Sequence, residues 1–192
     1  MISVWPEAYG MGAAPAEHRY RFQWTFPALL LALGSARAVD RGQPHLPFRS
    51  TRGRRWEVVS EDLTRNDADQ AGSVGRADHA ATTRGAEVYC TIFALAESPH
   101  ERDVLWAGTD DGLVHLSRDR GRTWQPVTPP ELPEWTLVSV LEPSPHDAAT
   151  CYVAATRYKL DDTRPYLFKT TDHGRTWKRI TEGICRTARS RG

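Results

Sequence analysis

The sequence of 192 residues is short of several things at once. Its three cysteines, Cys90, Cys151 and Cys185, are far apart, so there is no CxxC pair and no zinc-type His/Cys spacing. An odd count gives no disulfide framework; one pair at most could form, with Cys90 and Cys151 the pair on expected strands. Otherwise they read as small buried hydrophobes. No apolar run reaches the roughly 20 residues of a membrane-spanning helix. Charge of one sign is not in excess: 25 basic and 24 acidic residues leave a net charge of +1. That balance speaks against nucleic acid as a partner. No Gly-rich phosphate loop and no G-x-S-x-G elbow occurs. These gaps exclude the commonest metal, phosphate and serine-nucleophile chemistries, and nothing implies a cofactor.

What is abundant is Trp, at seven, and turn residues, with Gly and Pro together making 14 + 13 = 27. This suits an all-β protein of short strands. The stretch "LSRDRGRTWQPVT", Leu116 to Thr128, returns 53 positions later as "KTTDHGRTWKRIT", Lys169 to Thr181. A degraded copy, "FRSTRGRRWEVVS", surrounds Trp56. Each full copy is flanked by short alternating runs, "LVHLS" and "YLFKTT" before it, so it reads as the turn of a hairpin. Two β-rich runs lie upstream in each unit: "VYCTIFALAES" then "DVLWAGT", and "WTLVSVLEPS" then "TCYVAAT". Four strands per unit of about 50 residues is the plan of a propeller blade.

The repeated residues have a physical task. Gly121 and Gly174 supply the positive φ of a tight turn. Asp119 and Asp172 can accept from turn N–H groups. Ser117, Thr123, Thr170 and Thr176 can close the hairpins, and Trp124 and Trp177 can pack between neighbouring sheets. These are structural roles rather than catalytic ones.

The boxes "SRDRGRTW" and "TTDHGRTW" resemble the Asp-box, or bacterial neuraminidase repeat (BNR), of sialidases, xyloglucanase-type glycosidases and sortilin-type propellers. The longer stretch from Glu87 to Trp124 is similar to bacterial glycosyl-hydrolase-like BNR-repeat or sortilin-domain proteins, as are "ISVWPE" and "RFQWTFP". The resemblance implies an all-β partial β-propeller of about three four-stranded antiparallel blades. The expected units are a damaged first blade at 1–60, a long loop at 61–87, a second blade at 88–128, a third at 129–184 and an irregular tail at 185–192. A closed ring needs at least four blades, so the chain reads as a fragment completed by further blades.

Two segments break the pattern. Leu29–Pro47 puts Arg, Gly and Pro where strand residues belong, and "CRTARSRG" ends the chain in an Arg-rich run. Both read as reading-frame errors or gene decay. "FPALLLALGSARAVD" imitates a signal peptide with an A-x-A site, but its position inside a blade-like region makes that pattern accidental. An extracytoplasmic setting is what the resemblance implies.

A ligand face is expected opposite the boxes. Asp110 and Asp111 fall in the loop between the second and third strands of one blade. Arg157, Tyr158, Asp161, Asp162 and Arg164 fall in the same loop of the next, and Glu131, Glu134 and Trp135 in the inter-blade loop. The long loop 61–87 overhangs the same side. Such a set suits a protein or glycan ligand, with Trp135, Arg157, Tyr158 and Arg164 as binding residues. Asp110, Asp111, Asp161 and Asp162 are the candidates for the two carboxylates, about 5–9 Å apart, that glycoside hydrolysis requires. Each has a plainer reading: Asp110–Gly112 as an ordinary turn, Asp161 and Asp162 as solvated or paired with Arg157 or Arg164, Trp135 as packing. The sialidase-type Phe/Tyr-Arg-Ile/Leu-Pro motif is missing. Two readings follow: a recognition scaffold, and a glycoside hydrolase module with an incomplete site.

Overall fold

A computed structural model describes residues 29–30, 37–39, 47–50, 56–58, 60–66 and 90–184. These form three four-stranded antiparallel sheets, each an up-and-down meander in chain order. The first comprises β1 (Leu29–Leu30), β2 (Arg37–Val39), β3 (Pro47–Ser50) and β4 (Trp56–Val58). The second comprises β5 (Ile92–Glu97), β6 (Leu105–Thr109), β7 (Val114–Ser117) and β8 (Gln125–Pro126). The third comprises β9 (Leu137–Pro143), β10 (Cys151–Arg157), β11 (Asp162–Thr170) and β12 (Lys178–Arg179).

Within Leu29–Pro47 the described residues include two short strands. Leu29 and Leu30 pair with Val39 and Ala38, and Arg37–Val39 pair with Phe48–Ser50. Ladder pairing is made by backbone groups, so Arg and Ala are admitted. Pro47 stands at the first position of β3, where strand prolines are tolerated. The remaining residues of that segment and the tail from Cys185 lie outside the described residues.

The second and third sheets share one core. Trp106, Val114, Leu116 and Ala94 from the second face Val138, Leu141, Val153 and Phe168 from the third. Successive side chains go to opposite faces, and in β6 all five residues are buried because the second sheet is covered on both faces. Where β6 passes β9 the approach is close enough to require glycine: a Cβ on Gly108 would lie 2.5 Å from Val138 Cγ1. A second apolar cluster, Leu63, Ile92, Leu95, Leu105 and Ala107, fills the opposite side of the second sheet, with Trp124 packed on it.

The repeated turns lock this arrangement. Ser117 Oγ accepts from Gly121 N at 2.7 Å and donates to Asp119 at 2.9 Å. Asp119 in turn accepts from Thr123 N and Oγ1 at 2.8 and 2.7 Å. Thr170, Asp172, Gly174 and Thr176 repeat the set at 2.9, 2.8, 2.8 and 2.6 Å. Gly121 and Gly174 have φ of 83° and 81°, and the residues before them, Arg120 and His173, are left-handed as well. Those left-handed residues donate backbone N–H groups to Asp103 O and Ala149 O, both at 2.9 Å. Each repeated turn therefore grips the β5–β6 or β9–β10 connection of its own sheet.

The two tryptophans differ in a way the repeat does not announce. Trp177 reaches out of its sheet: its Nε1–H donates to Val127 O at 2.8 Å, and its ring meets Trp106 edge-on at 6.4 Å. Trp124 donates instead to Gly121 O at 2.9 Å, inside its own turn. Cys90 and Cys151 are both buried and are not joined to each other.

Candidate functional site

The end of the sheets opposite the repeated turns carries the β6–β7 turn, the β10–β11 connection and the 127–136 link. Asp110 and Asp111 sit in the first of these, but not as an open carboxylate pair. Both are fully buried. Asp110 accepts from Thr91 N at 2.8 Å and Thr91 Oγ1 at 2.9 Å, fastening the start of the second sheet to the turn. Asp111 accepts from Thr109 Oγ1 and from Arg65 N, the latter at 2.8 Å. Gly112, at φ 94°, completes the turn beneath Pro133 and Thr136. The two aspartates lie in the turn expected for them, with both carboxylates closed off from solvent. A carboxylate so placed satisfies buried N–H and O–H groups that would otherwise be orphaned.

The described start of the long loop, Glu61–Asn66, lies across this end. Leu63 is buried in the second apolar cluster, and its carbonyl meets His115 Nε2 at 2.8 Å. Arg65 Nε donates to Asp111 O at 3.0 Å and its Nη1 pairs with Glu134 at 2.9 Å. Burial pushes the His115 imidazole below its ordinary pKa, against the opposing pull of the Leu63 carbonyl and the charges of Asp111 and Glu61. Trp135 is part-buried and left-handed at φ 59°, with its N–H donating to Asp111 O at 3.1 Å. β9 starts at Leu137 rather than at Trp135, because a residue at that φ does not pair in a ladder.

The β10–β11 connection brings the other candidates together. Tyr158–Leu160 form one 3-10 turn, closed by Asp161 at φ 56°. Asp162 opens β11 and gathers its neighbours: Arg164 Nε at 2.9 Å and Nη2 at 2.7 Å, Arg157 Nη1 at 3.3 Å, and the Tyr166 hydroxyl at 2.6 Å. The Arg164 hydrogen bond first, and that of Tyr166 next, hold the Asp162 carboxyl far below the usual carboxylate range. Tyr166 is further flanked by the guanidinium carbons of Arg164 at 5.8 Å and Arg179 at 5.5 Å from its ring centre. Tyr158 and Asp161 are exposed.

Thr91, Arg65, His115, Tyr166 and Arg179 were not singled out in the sequence. Tyr166 could have been found from its place on the alternating strand, four residues after Asp162. Arg65 sits in a loop with no periodicity, and nothing local marks it. His100 and His146 are exposed, with Ser98 and Ser144 hydroxyls accepting their backbone N–H groups at 3.3 and 3.1 Å. Among the described residues no group of three or more His, Cys, Asp or Glu is placed to hold a metal ion. No helix among them is long and apolar enough to cross a membrane.

No family model matches the chain, and no curated protein matches it either. Solved structures do. The chain superposes on an ancestral GH74 enzyme with a TM-score of 0.57, at 15% identity, over 94% of this chain and 20% of that one. YCF48 bound to D1 peptide matches with a TM-score of 0.47, at 11% identity, over 83% of this chain and 46% of that one. The GH74 xyloglucanase from Xanthomonas campestris matches at 0.44, with 18% identity, over 76% of this chain and 22% of that one. The chain thus spans about a fifth of the length of the first of these. That first likeness, together with three consecutive four-stranded meanders, assigns the fold as an all-β, partial β-propeller.

Proposed function

We propose that this chain is a segment of an Asp-box propeller in the manner of BNR-repeat proteins, and that it works as a recognition scaffold for a protein or glycan. The repeated turns are structural. The opposite end, with Tyr158, Arg157, Arg164 and Trp135, receives the ligand, and the remaining blades of a longer parent complete the ring in an extracytoplasmic setting. One observation carries this reading. Asp110 and Asp111 are buried and hydrogen-bonded, and Asp162 is held ionised by two arginines and a tyrosine. Glycoside hydrolysis asks for two carboxylates facing the substrate, one with a raised pKa. Asp162 is shifted in the opposite sense.

The second reading is a glycoside hydrolase module whose remaining site lies in other blades. What favours it is the superposition on a GH74 enzyme. The two readings separate in one experiment. The chain is applied to glycan and peptide arrays, and in parallel its full-length parent is given chromogenic glycosides. Binding without release of the chromophore is expected, weakened by Tyr158→Ala. Hydrolysis that disappears in Asp161→Asn, with folding intact by urea melt, would reject the scaffold in favour of the hydrolase.

A further inference from the structure

The β10–β11 connection holds more positive charge than it neutralises. Arg157, Arg164 and Arg179 surround a single carboxylate, Asp162, and a single phenol, Tyr166. Arg164 takes up one edge of Asp162 with two of its nitrogens, Nε and Nη2. Arg157 has only the longer contact of 3.3 Å, and Arg179 reaches Pro165 O through Nη2 at 3.2 Å. The Nε–H groups of both Arg157 and Arg179 are buried and have no hydrogen-bond partner. A guanidinium keeps its charge at any ordinary pH, and an unpaired buried donor is costly. Against these three fixed cations stand two carboxylates, Asp162 and the exposed Asp161, so positive charge is left over for further acceptor oxygens, which reach it through the exposed Arg164.

The surroundings mix apolar and polar groups, with Asp161 and Thr163 exposed beside the cluster. The 3-10 turn beside the cluster exposes Tyr158 at 57% and Leu160 at 39%. Arg164 itself is open, with 60% of its side chain accessible. A ligand for this surface therefore presents carboxylates to guanidinium groups and apolar side chains to an exposed ring and a leucine. Recognition of acidic motifs by clustered arginines is a recurring mode of peptide binding. A uronic-acid glycan offers the carboxylates but no apolar side chain to cover Leu160.

From this we infer that the third sheet carries a docking site for an acidic peptide segment of a partner protein, one in which Asp or Glu alternates with apolar residues. The inference rests on the recognition-scaffold reading and narrows it to one ligand chemistry at one connection.

The test uses the chain and a fluorescein-labelled Glu-Leu-Glu-Leu-Glu peptide, with Gln-Leu-Gln-Leu-Gln as its control, read by anisotropy at low and high salt. The acidic peptide is expected to bind, to weaken with salt, and to bind about tenfold less tightly to Arg164→Gln, the loss of one charge-assisted contact. Tyr158→Ala, which removes an exposed ring and leaves every charge in place, is expected to weaken binding severalfold. Urea melts of both variants matching the parent confirm that folding is intact. Should Arg164→Gln unfold, Arg164→Lys takes its place, retaining charge while losing the planar fork. Equal binding of the glutamine control, or no effect of the Arg164 variants, overturns the inference. Binding of oligogalacturonate but not peptide, lost in Arg164→Gln, also overturns it and leaves the scaffold reading standing. Failure of every peptide and glycan to bind removes both.

Discussion

Replacing Gly108 by Ala is the sharpest probe of how the second and third sheets meet. The new Cβ would stand 2.5 Å from Val138 Cγ1, 3.0 Å from Val138 Cβ and 3.3 Å from Leu141 Cδ1. Carbon atoms in favourable contact sit about 3.5–4.0 Å apart, so the first of these is an overlap of about 1 Å. Val138 has little room to retreat, being fully buried and in register with Ala155 on β10. Overpacking of this kind costs about 1–3 kcal/mol. Against it stands the entropy that Ala removes from the unfolded chain, about 0.4–1 kcal/mol. Gly108→Ala should therefore destabilise by about 0.5–2 kcal/mol. Val138→Ala removes the methyl that the new Cβ would strike, at the separate cost of a cavity. In that background the same Gly108→Ala change should become neutral or stabilising. Urea unfolding of the four proteins, followed by Trp fluorescence and far-ultraviolet dichroism, gives the coupling energy directly. A favourable coupling of about 1–3 kcal/mol is expected. Additive effects, or a Gly108→Ala protein as stable as its parent, would refute the close approach of β6 and β9 on which the shared core rests.

Other consequences are open to measurement. Thr176 first, with Thr170 and Arg175 assisting, brings the Asp172 carboxyl down to about 2. At Asp119 burial pushes up, and hydrogen bonds from Thr123 and Ser117 outweigh it to leave the value lowered. Because the folded values are depressed, this stabilisation is complete above about pH 4 and is lost as the pH falls toward 2; Asp172→Asn should flatten part of that acid limb in pH-dependent melts. Asp110→Ala strands the buried N–H and hydroxyl of Thr91 and should cost about 1–3 kcal/mol in urea midpoint and slope analysis, whereas unchanged stability would deny it a structural role. Burial pushes the Cys151 thiol up to about 12. Peptide mapping after iodoacetamide treatment at pH 8 should find Cys151 unlabelled in the folded protein and labelled in urea, since only the thiolate reacts.

The blade plan was legible because it depends on a repeat. Asp119 with Thr123 and Asp172 with Thr176 are held by turn chemistry that eight residues carry among themselves, and the strands flanking them alternate plainly. What was illegible depends on partners distant in sequence. That Asp110 is buried follows from Thr91, nineteen positions away, and that Asp111 is covered follows from Arg65, in a loop with no pattern. "GTDDGL" reads the same whether its carboxylates face water or close a core. The pairing of Asp162 with Arg157 and Arg164 was readable from proximity along the chain. The share taken by Arg179 was not, since it needs the register of β11 against β12. At β1 and β2 side-chain preference does not announce the strands, because pairing is a property of the backbone that Arg at a permitted place does not forbid.

The bond from Trp177 to Val127 has a direction, and direction matters to a polypeptide made from one end. The carbonyl of Val127 and the ring of Trp106 obtain this partner from fifty and seventy-one residues downstream respectively, as 177 − 127 and 177 − 106 give. On a ribosome the second sheet would emerge with that flank bare and gain its cover only after Trp177 has left the exit tunnel. The third sheet thereby seals the second, and a nascent chain halted between residues 130 and 177 would offer a sticky surface to chaperones.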